Sequence, residues 1–196
     1  MSATDLSPLG NPMFSEVSTV PLLSPQECRQ VIDLVDDEAW TGATITTDKV
    51  GGARYDPKVR SVSSQHVPLD DSWPWARLRD AVTEINDTVH RYRITGVPPS
   101  DRPSMLRYTA ETTDHFRPHS DVGPTIPTRK LTYIVQLSPS SDYSGGDLLI
   151  THNGTRVSRE QGALVVFPSF LTHVVSPVVT GVRYVLVGWV HGPTFS

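Results

Sequence analysis

Beyond Ser104 the chain alternates short apolar runs with turn residues: MLRYTA, KLTYIVQL, GDLLITH, GALVVFP, THVVSPV and VRYVLVGWV. Runs this short, rich in β-branched and aromatic residues, predict strands, and no helix-length apolar stripe interrupts them. The N-terminal half reads differently. Val17 to Leu23 predicts a short strand, and Ser24-Pro25-Gln26-Glu27 is a capping box with proline at the first helical position. Cys28, Val31, Ile32 and Val35 follow at the spacing of one buried helical stripe, which places Cys28 in the core. A second stripe, Leu78, Ala81, Val82, Ile85 and Val89, predicts a helix capped by Asp71 or Ser72 and running to about Tyr92. Between them, residues 41 to 59 are polar with Gly51-Gly52 at their centre and predict a mobile hairpin or loop. Helices ahead of closely spaced strands predict an α+β fold whose β part is a barrel or double-sheet jelly roll.

Residues 1 to 16, rich in Ser, Pro and Gly, predict a flexible arm, and 196 residues in total leave room for one further unit, a single domain over 17–196. A formal charge of −4 and a pI near 5.9 give no electrostatic reason for a polyanionic partner, so nucleic-acid binding is not expected. The sole cysteine, Cys28, rules out an intrachain disulfide framework and a thiolate metal cluster, which fits a reducing cytoplasm. The sequence reads neither an export signal nor a membrane span, and it carries no code for oligomeric state.

The chemistry concentrates in DHFRPHSD, where His119 and Asp121 are two apart, answered downstream by His173 and Arg183. Alternate side chains of a strand share a face, so His119 and Asp121 can project together while Ser120 points away. His173 follows the turn FPSFL at the start of an extended run, a suitable place for a third ligand. Two imidazoles and one carboxylate form the ligand set of a non-haem iron(II) oxygenase and leave three coordination positions open. An HxD pair alone is weak, but it is followed in order by Arg129, Gly145-Gly146-Asp147, Phe167-Pro168-Ser169, His173, Gly181, Arg183 and Trp189.

In these motifs, over roughly Ser104 to Phe195, the sequence resembles the iron(II)- and 2-oxoglutarate-dependent oxygenases, in their prolyl 4-hydroxylase-like branch. SPQEC with its helix and the VRSV stretch look like that family's N-terminal part. The resemblance implies a double-stranded β-helix (jelly roll) with N-terminal supporting helices. In it His119, Asp121 and His173 match the metal ligands, and Arg183 matches the residue that binds the distal carboxylate of 2-oxoglutarate. A guanidinium suits that role, being planar, bidentate and permanently charged. Strand parity puts Arg183, Val185, Val187 and Trp189 on one face, with Trp189 a wall. It puts Thr132, Ile134 and Gln136 on another, which the resemblance turns toward the cosubstrate. Tyr108 stands where related enzymes carry a tyrosine near the cosubstrate, and reads equally as a core tyrosine.

The implied cofactors are Fe(II), 2-oxoglutarate and O2, with ascorbate as a stimulant, and the implied reaction is hydroxylation with succinate and CO2 as coproducts. Related halogenases lack the carboxylate that Asp121 supplies. Nucleic-acid demethylases of the superfamily carry a second arginine where this chain has Trp189. The substrate is expected to be a small molecule, an amino acid or natural-product intermediate. A peptidyl (prolyl-type) hydroxylase is the alternative, and a non-catalytic metal-binding or sensor domain on the same barrel is the alternative of another class. His115 is expected at the pocket rim or in solvent, and His66, His90, His152 and His191 away from the metal. Arg60 and Arg117 can hold an acidic substrate group, although surface solvation is the expected reading. Residues 41 to 59 and 122 to 128 are expected to set the substrate.

Overall fold

A computed structural model describes residues 17–36, 38–47, 52–67 and 73–195. The expected arm over residues 1 to 16 lies outside them. The chain runs through β1 (Ser18–Pro21), α1 (Pro25–Ile32), β2 (Thr41–Gly42), β3 (Ile45–Thr46), β4 (Ala53–Arg54), β5 (Arg60–Ser61), β6 (Ser63–His66) and α2 (Trp75–Ile85). It continues with β7 (Ser104–Thr109), β8 (His115–His119), β9 (Arg129–Gln136), β10 (Tyr143–Gly145), β11 (Leu148–Ile150), β12 (Thr155–Arg156), β13 (Ala163–Pro168), β14 (His173–Val175) and β15 (Val178–His191).

Two antiparallel sheets dominate. The larger has the order β1-β13-β9-β15-β7-β6-β2, with β10 paired to β15, and the smaller the order β12-β11-β14-β8-β5. The period-two alternation of the larger sheet's strands explains both of its faces. Leu131, Tyr133 and Val135 of β9, with Met105, Leu164 and Leu186, turn outward and pack under Cys28, Val31, Leu78 and Val82 of the helices. Their alternates Ile134, Leu106, Val165, Val185 and Val187 turn inward and meet Leu148, Ile150 and Val175 of the smaller sheet. From Leu131 the outward face of β9 is wholly apolar, whereas its inward face sets Ile134 between the buried polar residues Thr132 and Gln136, so KLTYIVQL alternates between an apolar face and a mixed one. Two facing antiparallel sheets with few helices are consistent with the expected jelly roll.

The capping box forms as expected: the Ser24 N–H donates to Glu27 Oε2 at 2.7 Å, and the Glu27 N–H to Ser24 Oγ at 3.3 Å. Arg77 Nη1 donates to Glu27 Oε1 at 2.9 Å and so ties α2 to α1. Cys28 is fully buried, and burial pushes its thiol up to about 11, so it is a core residue and not a nucleophile. The second helix departs from its stripe. Its regular turns stop at Ile85, a π-helical turn over Asn86–His90 follows, and Arg91 closes it in the left-handed region. The wider turn moves Asn86 and His90 inward, while Val89 is only half-buried. Asn86 ends the element by donating to the Tyr92 carbonyl and accepting from the Tyr92 N–H, both at 3.0 Å. Asp71 and Ser72, the expected caps, lie outside the described residues, and Pro74 occupies the N-cap without a side-chain bond. Within residues 41 to 59, β3 pairs with β4 as a hairpin, and β2 joins the edge of the larger sheet.

Strand β8 is missing from the apolar runs because HFRPH is mostly polar, yet it carries half of the site. Asp114 anchors it. Buried in the β7–β8 turn, its carboxylate accepts from Ser61 Oγ at 2.5 Å, Thr112 Oγ1 at 2.7 Å and the Thr109 N–H at 2.9 Å. Asp114→Ala would leave those donors unsatisfied, and is expected to lower stability by about 2–4 kcal/mol, or roughly 5–15 °C in Tm. Thermal unfolding followed by circular dichroism checks this, and an unchanged Tm would contradict it.

Candidate functional site

Strand β14 pairs with β8 in a register that sets His173 directly opposite His119, their ring centroids 4.2 Å apart. Phe116 stacks on the His119 ring at 3.4 Å, and Phe167 meets the His173 ring edge-on at 5.0 Å. Each imidazole is oriented by its own backbone. His119 Nδ1–H donates to the Arg117 carbonyl at 2.8 Å, and His173 Nδ1–H donates to the Leu171 carbonyl at 2.9 Å. A carbonyl can only accept, so each Nδ1 carries a proton, and in the neutral imidazole Nε2 is then the nitrogen with the free lone pair.

Both Nε2 atoms face Asp121. That residue lies just past the end of β8 and not on the strand, as the HxD parity supposed; its N–H donates to the Ser169 carbonyl at 2.9 Å. Its Oδ1 is 3.7 Å from His119 Nε2, and its Oδ2 is 3.6 Å from His173 Nε2. One ligand atom from each of the three residues lies within 4.8 Å of the others, the only such group of three or more among the described residues. Burial and the His173 imidazole hold the His119 ring down to about 3, keeping it neutral at ordinary pH. Burial by itself would raise the Asp121 carboxyl. The imidazoles of His173 and His119, the Thr132 hydroxyl (2.7 Å to Oδ2) and Arg129 outweigh it and hold that carboxyl below its usual range.

Arg183 stands opposite Tyr108 in the β15–β7 register, 2% exposed, with its guanidinium carbon 5.3 Å from the Tyr108 ring centroid. Nη2 donates to Gln136 Oε1 at 3.1 Å, but Nε and Nη1 are buried without a partner. A buried cation with two unmet donors asks for an anion. The GGD turn makes room for it: Gly146 has φ +61°, and a Cβ there would lie 3.2 Å from Arg183 Cδ.

Two connected cavities result. An inner one of about 40 Å³ is lined by the His119, Asp121, His173 group together with Arg183, Tyr108 and Thr132. An outer cleft of about 510 Å³ shares Arg60, Phe116, His119, Asp121 and Trp189 with it and opens past residues 43–47 and 122–126. A cleft of that size suits a small ligand or a side chain.

The expected residues fall as follows. His119, Asp121, His173, Arg183, Tyr108 and Thr132 surround one cavity. Gln136 shares their sheet face but lines neither cavity. It sits behind Arg183, its Nε2 donating to the Ser158 carbonyl at 2.9 Å, and thereby orients the guanidinium. His115 turns away from the rim and bonds the Thr113 carbonyl through Nδ1 at 3.0 Å. Arg117 is exposed, as expected, whereas Arg60 is drawn into the cleft wall. Sequence reasoning missed the support of Asp121 from the side. Arg129 is bidentate to Asp101 at 2.7 Å on both bonds, stacks on Trp189 at 3.5 Å, and donates from Nη1 to the Asp121 carbonyl at 3.3 Å. His191 Nε2 reaches the same Asp101 at 2.8 Å. A charged residue opening an otherwise apolar strand was the one signal of this network.

Residues 103–191 match the family model of the 2OG-Fe(II) oxygenase superfamily. A PKHD-type hydroxylase from Synechococcus sp. (strain CC9605) is 38% identical over 65 residues, 32% of this chain and 29% of that protein. The chain thus aligns with under two fifths of the length of these curated PKHD-type relatives. Among solved structures, the viral collagen prolyl hydroxylase of Paramecium Bursaria Chlorella virus-1, as its 2OG complex, superposes with a TM-score of 0.70 at 14% identity, covering 94% of this chain and 100% of that one. A prolyl hydroxylase from Trichoplax adhaerens, in complex with a hypoxia inducible factor peptide fragment, gives 0.71 at 16% identity, over 91% and 84%. At such identities the likeness is one of fold.

Proposed function

We propose, from the match of residues 103–191 to the 2OG-Fe(II) oxygenase superfamily model and the likeness of fold to prolyl hydroxylases, that the chain is a prolyl 4-hydroxylase-like member of that superfamily, an Fe(II)- and 2-oxoglutarate-dependent dioxygenase that hydroxylates an unactivated C–H bond of a small molecule, an amino acid or natural-product intermediate. The observation that carries this reading is the pairing, across one buried cavity, of the His119, Asp121, His173 group with an Arg183 whose donors lack an anion. In this reading residues 17–196 are one oxygenase domain and its facing sheets a double-stranded β-helix.

The donor set fits a ferrous ion. Two imidazoles and one carboxylate, all aimed at a common gap, would hold it on one side and leave the other open. Arg183 Nε and Nη1 fit the distal carboxylate of 2-oxoglutarate, with Tyr108 and Thr132 lining the path between. When bound, the ion supplies the dioxygen chemistry: one oxygen atom ends in the substrate C–OH, the other in succinate, and CO2 leaves. The chain contributes placement. Thr132 and Arg129 fix Asp121, the backbone carbonyls fix both imidazoles, and Phe116, Val185, Val187 and Trp189 keep water from the inner cavity.

A second reading, a peptidyl hydroxylase of prolyl type, is supported by the superposition on a prolyl hydroxylase solved with a peptide. Anaerobic addition of Fe(II) and 2-oxoglutarate is expected to give a weak visible charge-transfer band. Oxygen with a panel of amino acids, pathway intermediates and peptides, with ascorbate as reductant, is expected to give succinate and a product heavier by one oxygen atom. A folded sample that binds the metal without the band, or yields no succinate with any candidate, would instead support a sensor or metal-binding domain.

A further inference from the structure

Building on the oxygenase reading, we propose that Arg60 is the residue that selects the primary substrate, by binding a carboxylate of that substrate in the outer cleft. Arg60 opens β5, whose register sets it opposite Phe116 of β8. Its guanidinium carbon lies 4.7 Å from the Phe116 ring, and that ring stacks on His119. The charge is therefore one aromatic ring from the proposed metal, and Arg60 lines both the inner cavity and the cleft.

Its donors are only partly used. Nη1 donates to the Thr44 carbonyl at 2.8 Å, fixing the plane of the group, while Nε is buried with no partner. The Nε–Nη2 edge, which has the spacing of a carboxylate, meets no acceptor among the described residues, and no carboxylate there lies within ion-pair distance of it. Of the other cations around the cavities, Arg102 is exposed at the outer cleft and solvated there. Arg129 is neutralised by Asp101, and Arg183 serves the cosubstrate. The charges of Fe(II), Asp121, dianionic 2-oxoglutarate and Arg183 cancel, so Arg60 remains as one uncompensated positive charge in a partly desolvated wall. Burial already costs that cation, as its lowered pKa reflects, and an anionic ligand would offset the cost. A group held there presents its neighbouring carbons toward His119 and Asp121. The chemical class is thus a small carboxylic acid, such as a free amino acid, in preference to an internal residue of a peptide.

The test compares free L-amino acids with their primary amides and with N-acetyl peptide amides, by ligand-observed NMR, in protein loaded with Zn(II) and 2-oxoglutarate. Acids are expected to bind at least about tenfold tighter than their amides, Arg60→Gln to erase the difference, and Arg60→Lys to restore part of it. Circular dichroism checks that the variants are folded, and Arg60→Met is a second neutral replacement if Gln misfolds. Acids and amides binding alike, no acid binding, peptide amides binding as well as acids, or the preference surviving in a folded neutral variant would each overturn the proposal. So would a tenfold loss of 2-oxoglutarate affinity in Arg60→Gln with the acid preference intact, because Arg60 would then belong to the cosubstrate. Failure of the oxygenase reading shows separately, as a missing charge-transfer band. The acid–amide comparison, repeated on metal-free protein, is still readable in that case.

Discussion

Asp121→Ala is expected to abolish succinate formation and the Fe(II)/2-oxoglutarate charge-transfer band, and to weaken Fe(II) binding by at least about 100-fold, while the protein stays folded. The loss follows from charge. His119 and His173 are neutral donors, so Asp121 is the only anion among the three groups, and without it a dication would sit in a buried pocket facing Arg183 and Arg60. Removing residues that merely orient a ligand typically costs 10–100-fold, and removing the charged ligand should exceed that. Folding should survive because the side chain's one short bond is replaceable: Thr132 Oγ1 retains Ser169 Oγ at 3.1 Å. Metal titration, anaerobic absorption and thermal unfolding on one preparation check all three statements. Iron binding and turnover retained in Asp121→Ala would sink the assigned role, and a collapsed Tm would show that the carboxylate serves the fold.

How much of this could be read from the chain depends on the range of the interaction involved. Strands β9 and β15 of the larger sheet are legible because each carries a short run rich in β-branched and aromatic residues with at least one wholly apolar face, so KLTYIVQL and VRYVLVGWV declare themselves locally. The capping box at Ser24 is equally local. His119 and His173 were legible as chemistry, whereas their juxtaposition is a matter of register between β8 and β14, which no local pattern encodes. Strand β8 is legible only through the HxD alternation and not as an apolar run, because HFRPH faces the cleft and solvent. For Gln136 parity gives direction, and only packing shows that it bonds Arg183 and lines neither cavity. Arg60 reads as a surface charge because the groups that hold its guanidinium, the Thr44 carbonyl and the Phe116 ring, are distant from it in sequence. The Asp101, Arg129, His191 network spans 90 positions in sequence and closes only in three dimensions.

Arg183→Met is expected to move ligand affinity and protein stability in opposite directions. In the ligand-free chain the guanidinium is 2% exposed, bonded once to Gln136, with Nε and Nη1 unmet and no carboxylate in contact among the described residues. A buried charge in that condition destabilises the fold, and a methionine of similar length fills the space without the desolvation cost. The metal-free variant should therefore have an equal or higher Tm than the parent. With 2-oxoglutarate the balance reverses, because the two unmet donors are the ones a carboxylate would occupy. Truncating one partner of a buried hydrogen-bonded charge pair costs about 2–4 kcal/mol, which is on the order of 30- to 1000-fold in Kd. Arg183→Lys should rescue little, since an ammonium is a point charge that cannot match the planar carboxylate and the Gln136 amide together. Calorimetric titration of 2-oxoglutarate into the Zn(II)-loaded protein, beside thermal unfolding without ligand, separates the two effects. If affinity and Tm fall together, Arg183 is a structural cation; if Tm holds and affinity drops, its unmet donors exist for the cosubstrate, and the stability they forgo is part of the binding site.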